Sequence, residues 1–375
     1  MNGSLSHSGN ASPRRMAANL LYNLLKEYSP TGMEERAVKK LVEWGEENGL
    51  KAWVESAGSG FLAPPDTREV RILLAGHIDA VEGWIDPGWQ EGKVWGRGAV
   101  DAKGPLASMS VGLLLVAMNN PSCPVALAGL AGEEGDSRGA RRLVRERLVP
   151  PFVIIGEPSG GNRVVVGYRG GFHVEVVCMG RGGHSSTPHL GDSALDKAII
   201  LIDNIKKSYP SISLDEPSIA VTGLEARDAW NVLPRKAIVR LDVRVPPGWT
   251  NKSVAQNIDN LAKSYDCVTA FSGGVESIRV SLNTPVPRSI SRSLLRMNVK
   301  PRPVVKRGTS DRNILGHYAL SISAYGPGDP IMAHSTMEVI SEEELSLAAE
   351  VYKRSIIELC SLDTGGSSII LSELQ

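Results

Sequence analysis

Residues 71–83, RILLAGHIDAVEG, decide the fold class of this 375-residue chain. The run from Arg71 to Ala75 is short and apolar after its first residue, which is typical of a strand buried on both faces of a parallel sheet. It leads into His77 and Asp79, which are two residues apart and therefore lie on one side of an extended backbone. In open α/β sheets, ligands bind beyond the carboxyl ends of the strands. The segment predicts an α/β protein with a polar site at the end of this strand.

Four further segments place acidic residues or histidine after an apolar run or a glycine-rich turn. They are WGRGAVDAKGP with Asp101, LAGLAGEEGDS with Glu133 and Glu134, FVIIGEPSG with Glu157, and DPIMAHSTME with His334. Because the carboxyl ends of parallel strands meet at one edge, we expect these side chains to converge on His77. Two imidazoles and several carboxylates suit Zn²⁺ or a similar divalent ion. The pattern predicts a two-metal hydrolase site.

The residue types favour separate roles within this site. We expect His77 to ligate a metal ion through one ring nitrogen while Asp79 holds the other nitrogen. Asp101, which precedes a predicted helix, could bridge two ions about 3.5–4 Å apart. Glu133 and Glu134 point to opposite sides of an extended backbone, so one fits a metal ligand and the other a general base. Their spacing does not decide which is which.

Length and composition restrict the function classes. A chain of this length favours two domains, and its 41 basic and 41 acidic side chains argue against a nucleic-acid partner. No apolar run reaches the roughly 18 residues of a membrane span. The first fifteen residues are polar and lack a signal-peptide core; we expect them to be disordered, with Met16 an alternative start. The four scattered cysteines form no CxxC pair and favour unpaired thiols in a reducing cytoplasm.

The order of strand and helix patterns predicts one domain inserted into another. Alternating strands and helices over residues 1–171 and 286–375 indicate a mostly parallel sheet with helices on both faces. Residues 172–285 follow the order strand, helix, two strands, helix, two strands, which indicates a smaller α+β unit. Within the first part, Thr31 and Glu34 form a capping-box pattern ahead of an amphipathic helix.

The site motifs together resemble a known family. GHID, GRGAVDAKGP, AGEEG, GEPS, GRGGHSSTP, WNVLP, DVRVP and AHS follow one another between about Leu20 and Leu359. This series resembles the di-zinc aminoacylase and carboxypeptidase family, which includes acetylornithine deacetylases and succinyl-diaminopimelate desuccinylases. The resemblance implies a catalytic domain with an inserted lid domain that also carries a homodimer contact.

The resemblance also implies how the site residues divide between two zinc ions. One ion would be held by His77, Glu157 and Asp101, and the other by Glu134, His334 and Asp101. Glu133 would then be the general base. The peptide bond after Asp101 is expected to be cis.

Three residues of the predicted lid domain acquire roles in the same way. The resemblance implies that His184 of GRGGHSSTP reaches a partner's active site and stabilises the oxyanion, although a histidine in a glycine-rich turn is more often structural. Asn231 and Arg244 match positions that contact the substrate carbonyl or carboxylate, and a guanidinium binds both carboxylate oxygens. For Arg244, a plain surface position on a strand is an equally good interpretation.

Within the family, the nearest resemblance is to hydrolases that release lysine or ornithine from an amino-group carrier protein in lysine and arginine biosynthesis. GEPSG, KRGTSDRNILG and YGPGDPIMAHS support it. In that group the carrier is small and very acidic, and its C-terminal glutamate holds the amino acid. A basic run could steer such a partner to the site, although such runs are usually solvated faces. It comprises Arg288, Arg292, Arg296, Lys300, Arg302, Lys306, Arg307 and Arg312.

Two other functions fit the same residues. A deacylase or peptidase acting on small N-acyl amino acids or dipeptides would use the same ions and base, because lid pockets decide specificity. A non-catalytic binding protein of the same fold fits less well, since every ligand and base position is filled. Zn²⁺ is the expected metal, and Co²⁺ or Mn²⁺ suit the same ligands.

Overall fold

A computed structural model describes residues 12–211, 213–362 and 368–375. The helices are α1 (Pro13–Leu25), α2 (Glu35–Glu47), α3 (Lys103–Ala117), α4 (Arg138–Arg145), α5 (Ala194–Ser208), α6 (Asn251–Lys263), α7 (Pro285–Arg296), α8 (Asp311–Leu315) and α9 (Glu342–Cys360). The strands are β1 (Lys51–Val54), β2 (Gly60–Ala63), β3 (Glu69–Val70), β4 (Ile72–His77), β5 (Gly88–Gln90), β6 (Lys93–Trp95), β7 (Val125–Leu130), β8 (Phe152–Gly156), β9 (Arg163–Tyr168), β10 (Gly170–Met179), β11 (Ser218–Ala226), β12 (Lys236–Val245), β13 (Cys267–Val275), β14 (Ile278–Arg279), β15 (Arg302–Lys306), β16 (Ser321–Tyr325), β17 (Val339–Ser341) and β18 (Ile369–Ile370).

The chain divides into two compact units. The larger comprises residues 1–166, 280–304 and 310–375, and the smaller comprises residues 167–279 and 305–309. The domain boundaries expected from the sequence lie at 171/172 and 285/286. Within the described part of the chain, no helix is both long and apolar enough to cross a membrane.

The larger unit is built on a sheet whose central strands are parallel. Strands β7, β4, β8 and β16 lie side by side in that order and run in the same direction. Strand β2 pairs antiparallel with β7 at one side, and β9 pairs antiparallel with β16 at the other. The predicted mostly parallel α/β sheet is confirmed.

Both faces of this sheet are buried, as continuous apolar strands require. Ile72 and Leu74 of β4 belong to a core that also includes residues of α1, α2, α3, α7 and α9. Leu73 and Ala75 point to the opposite face and are equally buried. On that side α4 contacts β7, and α8 contacts β8 and β16. Helix α3 lies almost entirely within the core.

The smaller unit has the predicted α+β organisation. Its antiparallel sheet has the strand order β11-β12-β10-β13. Along β10, Val174 and Val176 are buried while His173 and Glu175 are exposed, the alternation of a sheet with one covered face. Helices α5 and α6 contact each other and supply Leu201 and other residues to the core on the covered face.

Three expectations about local structure are corrected. Helix α2 begins after Glu34 without a side-chain cap, because Thr31 and Glu34 bind other groups. Residues 12–15 were also expected to be disordered, but Pro13 begins α1 and Ser12 caps it by accepting a hydrogen bond from the Arg15 N–H; residues 1–11 lie outside the described residues. Residues 277–282 form only the short strand β14.

The cysteines are also paired, contrary to the expectation of free thiols. Cys123 is bonded to Cys360 within the larger unit, and Cys178 to Cys267 within the smaller one. In the second pair, the two residues are direct neighbours on β10 and β13. Local sequence could not show either pair, because the partners are 237 and 89 residues apart.

Candidate metal centre

The central parallel strands end level with one another, and this brings the acidic segments together. His77 at the end of β4 pairs with Leu130 at the end of β7, and Gly76 pairs with Gly156 at the end of β8. Asp79, the two adjacent glutamates and Glu157 follow these strand ends at once. The polar edge predicted from the sequence exists in the larger unit.

His77 presents one ring nitrogen to the centre of this edge. The ring is buried, with 3 % of the residue exposed. Its Nδ1 lies 2.9 Å from the Asp79 carbonyl oxygen and 3.4 Å from Asp79 Oδ1. Its Nε2 lies 3.2 Å from Asp101 Oδ1. One nitrogen is thus held in place while the other faces the carboxylate expected to bridge two ions.

Asp79 fixes the loop that carries the two glutamates. It is fully buried, and its Oδ1 accepts a hydrogen bond from the Glu133 N–H at 3.1 Å. Its Oδ2 accepts from the Glu134 N–H at 3.1 Å and from Thr31 Oγ1 at 2.7 Å. Burial opposes ionisation of Asp79, but the contact with His77 and these hydrogen bonds outweigh it and lower its pKa.

The glutamate loop turns sharply at Gly132, which has a φ of +86°. A side chain there would strain the backbone, and its Cβ would lie 2.2 Å from Asp136 Oδ1. The turn sends Glu134 towards His334, whose Nε2 lies 2.8 Å from Glu134 Oε1. The same nitrogen is 3.5 Å from Asp101 Oδ2.

Asp101 lies between the two histidines, with one carboxylate oxygen near each. The peptide bond between Asp101 and Ala102 is cis, as the resemblance implied. Ligand atoms of His77, Asp101 and Glu134 all lie within 4.8 Å of one another, a grouping that could hold a metal ion. His334 joins them through its contacts with both carboxylates.

Glu133 and Glu157 complete the acidic surroundings. Burial, together with the charges of Glu157, Asp311 and Glu134, raises the pKa of Glu133 well above its usual value. Glu157 is itself buried, with 6 % exposed, and its N–H donates to the Tyr325 carbonyl at 3.3 Å. A carboxyl group with a raised pKa accepts a proton readily, which suits a general base.

The pKa values of His77 and His334 are both raised by the negative charge of the surrounding carboxylates. Burial opposes protonation of His77, but hydrogen bonds to Asp101 and Asp79 prevail and raise its pKa well above normal. The hydrogen bond from His334 to Glu134 raises the pKa of His334. A site that stabilises added protons in this way will also stabilise divalent cations, and its imidazole and carboxylate ligands are those that zinc, cobalt and manganese accept.

Sequence reasoning missed two buried ionisable residues beside the site. Burial raises the pKa of Asp311 to about 7, and Asp311 accepts a hydrogen bond from Ser137 in the turn after the glutamates. Burial lowers the pKa of Lys103 to about 7; its Nζ donates to the Leu24 and Glu27 carbonyls at 3.0 and 2.9 Å. The motifs KRGTSDRNILG and GRGAVDAKGP contain both, but the pattern alone could not show their burial.

The smaller unit places two of the predicted lid residues together. The Ser185 N–H donates to the Asn231 carbonyl at 3.0 Å, and His184 bridges to Val232 in an isolated β-contact. The exposed ring of His184 bonds Ser186 Oγ through Nδ1, at 2.7 Å. Arg244 lies on β12, where its Nη2 is 2.9 Å from Asp242 Oδ2. His184 and Asn231 therefore lie on adjoining loops, and Arg244 on a strand.

The basic run does not form one exposed surface. Arg312 is completely buried and cannot face a partner. Arg292 and Arg296 are exposed but lie 3.0 and 3.8 Å from Glu358. Lys300 and Arg302 are exposed in the larger unit. The candidate steering surface is therefore smaller than the sequence suggested.

A sequence model described as Peptidase family M20/M25/M40 matches residues 73–358, a range that begins within β4 and includes every residue of the predicted site. The chain belongs to this family. The predicted family is thereby confirmed, and membership identifies the chain as a hydrolase of amide bonds with a candidate metal site at the end of its parallel strands.

Relatives within the M20 family cover nearly the whole chain. A protein of Saccharolobus solfataricus named LysW-lysine/LysW-ornithine hydrolase is 35 % identical over 347 residues, covering 92 % of this chain and 96 % of its own length. A protein of Aeropyrum pernix with the same name, given provisionally, is 39 % identical over 356 residues, covering 94 % and 99 %.

Among solved structures, the aminopeptidase PepT of Bacillus cereus shares the fold with a TM-score of 0.76 at 20 % identity. The similarity covers 93 % of this M20 chain and 99 % of that one. At this identity the comparison bears on the fold alone, and it supports an α/β catalytic domain with an inserted α+β domain.

Proposed function

We propose that this enzyme is a two-metal amide hydrolase that releases lysine, ornithine or both from the C-terminal glutamate of an acidic amino-group carrier protein, in cytoplasmic lysine and arginine biosynthesis. The similarity to the named LysW-lysine/LysW-ornithine hydrolases over more than nine-tenths of both chains carries the substrate assignment. The convergence of His77, Asp101 and Glu134 within 4.8 Å supports the chemistry.

The proposed ligand set divides around Asp101. His77 and Glu157 would hold one ion with Asp101, and Glu134 and His334 the other. Two Zn²⁺ ions are the first choice, with Co²⁺ or Mn²⁺ compatible with the same atoms. When bound, the ions polarise the scissile carbonyl and acidify the attacking water.

Glu133 performs the proton transfers. Its carboxylate takes a proton from the attacking water and later delivers this proton to the leaving amine, so that the amino acid departs with a free α-amino group. Asp79 acts beside it by fixing the backbone of the loop and the orientation of the His77 ring.

The smaller unit, expected as a lid over residues 172–285, is proposed to handle the substrate and to form a homodimer. His184 would stabilise the oxyanion in the partner's active site. Asn231 and Arg244 would bind the carbonyl and a carboxylate of the substrate. The exposure of His184 and Asn231 leaves both available for such contacts.

A panel of three substrate types tests this function. Rates are compared on carrier-linked lysine or ornithine, on N-acetylornithine and on a set of dipeptides, with saturating Zn²⁺ or Co²⁺. We expect kcat/KM to be highest for the carrier-linked substrate. Preference for a small substrate would favour a general deacylase or peptidase, and absence of hydrolysis across the panel would favour a binding protein.

Carrier recognition has a separate test in a pull-down at low and high salt. A complex steered by Lys300 and Arg302 weakens as ions screen the charges. Reversing both charges should weaken capture of the acidic carrier and leave the rate on N-acetylornithine unchanged, and Lys252→Glu, at an exposed position on α6, is the control for a charge reversal elsewhere. Salt-independent capture would remove the steering role.

A further inference from the structure

Arg97 joins its own loop to two others at the edge of the candidate metal centre. Its Nε donates to the Gly83 carbonyl at 2.9 Å, in the loop that follows Asp79. Its Nη1 donates to the Ser335 carbonyl at 2.9 Å, directly after His334. The same nitrogen donates to Glu338 Oε1 at 2.7 Å. A single guanidinium therefore contacts the segments that follow two of the proposed ligands.

Glu338 connects this guanidinium to Asp101. It is completely buried, and its Oε2 accepts hydrogen bonds from the N–H groups of Val100 and Asp101 at 3.1 and 3.2 Å. Its own carbonyl accepts from the Gly96 N–H at 3.2 Å. Strand β17, which begins with the next residue, pairs with β6, which precedes Arg97. Glu338 is thus bonded to both ends of the turn that leads to Asp101.

Both carboxylate oxygens of Glu338 accept hydrogen bonds. The Arg97–Glu338 ion pair is largely shielded from solvent, since 11 % of the Arg97 side chain is exposed and none of the Glu338 side chain. Such a pair adds little net stability over apolar residues of the same shape, because desolvation offsets the attraction. Its best-attested use is to specify one arrangement of the segments that it joins. The segments joined here carry His77, Asp101 and His334.

We propose that Arg97 and Glu338 are positioning residues that fix the orientation of Asp101 between His77 and His334, by tying the backbone of Asp101 to the loops following these two histidines. This inference rests on the proposed ligand set. Glu338 is not placed to react with the substrate; it acts through the main chain of Asp101, which would be the ligand shared by the two ions. Loss of the pair allows Asp101 to turn away from one histidine, so that one ion is held more weakly than the other.

The chain contains a matched control for this pair. Glu55 is buried, with 4 % exposed, and accepts hydrogen bonds from the N–H groups of Ala57 and Ser59 at 2.6 and 2.8 Å. It also lies 3.0 Å from Arg142 Nη1. Glu55 and Glu338 share burial, two main-chain donors and an arginine partner. Only Glu338 is bonded to a proposed metal-ligand segment.

Calorimetric Zn²⁺ titration of the metal-free full-length chain tests the proposal. The variants are Glu338→Gln, Glu338→Ala, Arg97→Gln, Arg97→Lys, the double variant Arg97→Gln/Glu338→Gln, and the control Glu55→Gln. We expect Glu338→Gln to weaken the lower-affinity ion by about 10- to 100-fold, as for other residues that orient metal ligands. We expect kcat to fall with little change in KM, and Glu55→Gln to bind zinc as the wild type does.

Arg97→Lys keeps the charge but lacks the fork that reaches the Gly83 and Ser335 carbonyls together, so it should also bind zinc more weakly. The effects of the two glutamine substitutions should be less than additive, because each removes the same link. Wild-type zinc affinity in folded Glu338→Gln, or an equal loss in Glu55→Gln, would overturn the positioning role. If the wild-type protein binds two zinc ions but does not release the amino acid from the carrier, the proposed substrate is wrong. The positioning role of Arg97 and Glu338 is unaffected by that outcome.

Discussion

The carboxylate of Asp79 holds the main chain of Glu133: Oδ1 of Asp79 accepts the Glu133 N–H at 3.1 Å. The other carboxylate oxygen of Asp79 accepts a hydrogen bond from the Glu134 N–H. The main-chain carbonyl oxygen of Asp79 lies 2.9 Å from Nδ1 of His77. One buried residue therefore orients a proposed ligand of each ion and the proposed general base. Asp79 is more than an orienting partner for the histidine.

Replacing Asp79 by asparagine should disturb all of these groups. An amide has one acceptor oxygen, so the N–H of Glu133 or of Glu134 loses its partner, which costs about 1–3 kcal/mol when the donor is buried. We expect Asp79→Asn to lower both thermal stability and zinc affinity. The milder Thr31→Val removes one hydrogen bond to Asp79 and leaves both N–H groups bonded. Equal effects of the two variants on zinc affinity would contradict the role assigned to the glutamate loop.

Replacing Glu133 by alanine should abolish turnover and leave the metal content intact. A positioned general base contributes about 10²- to 10⁴-fold to a rate, and Glu133 is not among the proposed ligands. Steady-state rates and zinc content by elemental analysis check this prediction. Asp136→Asn, in the same loop but exposed, is the control. Retained activity in Glu133→Ala would remove the assigned base.

Mixing two inactive variants should restore activity if His184 acts across a dimer. The Glu133→Ala subunit retains an intact His184, and the His184→Ala subunit retains an intact Glu133. A dimer that contains one subunit of each variant therefore has one complete site. After random exchange of subunits we expect about one quarter of wild-type activity, since half of the dimers are mixed and each has one working site of two. Activity no higher than that of the separate variants would show that His184 does not serve a partner's site.

Thiol titration should find no reactive cysteine in the unreduced, denatured protein and four after reduction, because both cysteine pairs are bonded. The double variant Cys178→Ser/Cys267→Ser should lose about 2–4 kcal/mol of stability, since the bond closes a long loop of the unfolded chain. Thermal melts with and without reductant measure the loss. Four free thiols without reductant would instead support the expectation drawn from the sequence.

Local pattern was enough to predict the central strand that leads to the site. The apolar run from Arg71 to Ala75 forms β4, which extends from Ile72 to His77. Short apolar runs with polar ends are typical of buried parallel strands, and the carboxyl ends of parallel strands lie at the same edge of the sheet. This alignment, together with a later loop that returns to the same edge of the sheet, brings together His77, Asp101, Glu134 and His334.

Contacts between distant residues were not predictable in the same way. Thr31 looks like a helix cap but donates to Asp79, 48 residues away, because a buried carboxylate attracts its hydroxyl more strongly than a solvated helix end. Arg312 looks like part of a surface run but is buried. Sequence spacing says nothing about which of several polar groups becomes a partner once the core closes.

The sequence by itself determined the α/β class, the inserted α+β unit, the polar edge of the sheet and the residue types able to hold divalent ions, because periodicity and strand-end chemistry are local properties. The tertiary structure alone decided which atoms face each other: the links from Asp79 to the glutamate loop, from Glu338 to Asp101, and between the cysteines. Those pairings depend on burial, since hydrogen bonds and ion pairs become selective only where water no longer competes for the same groups.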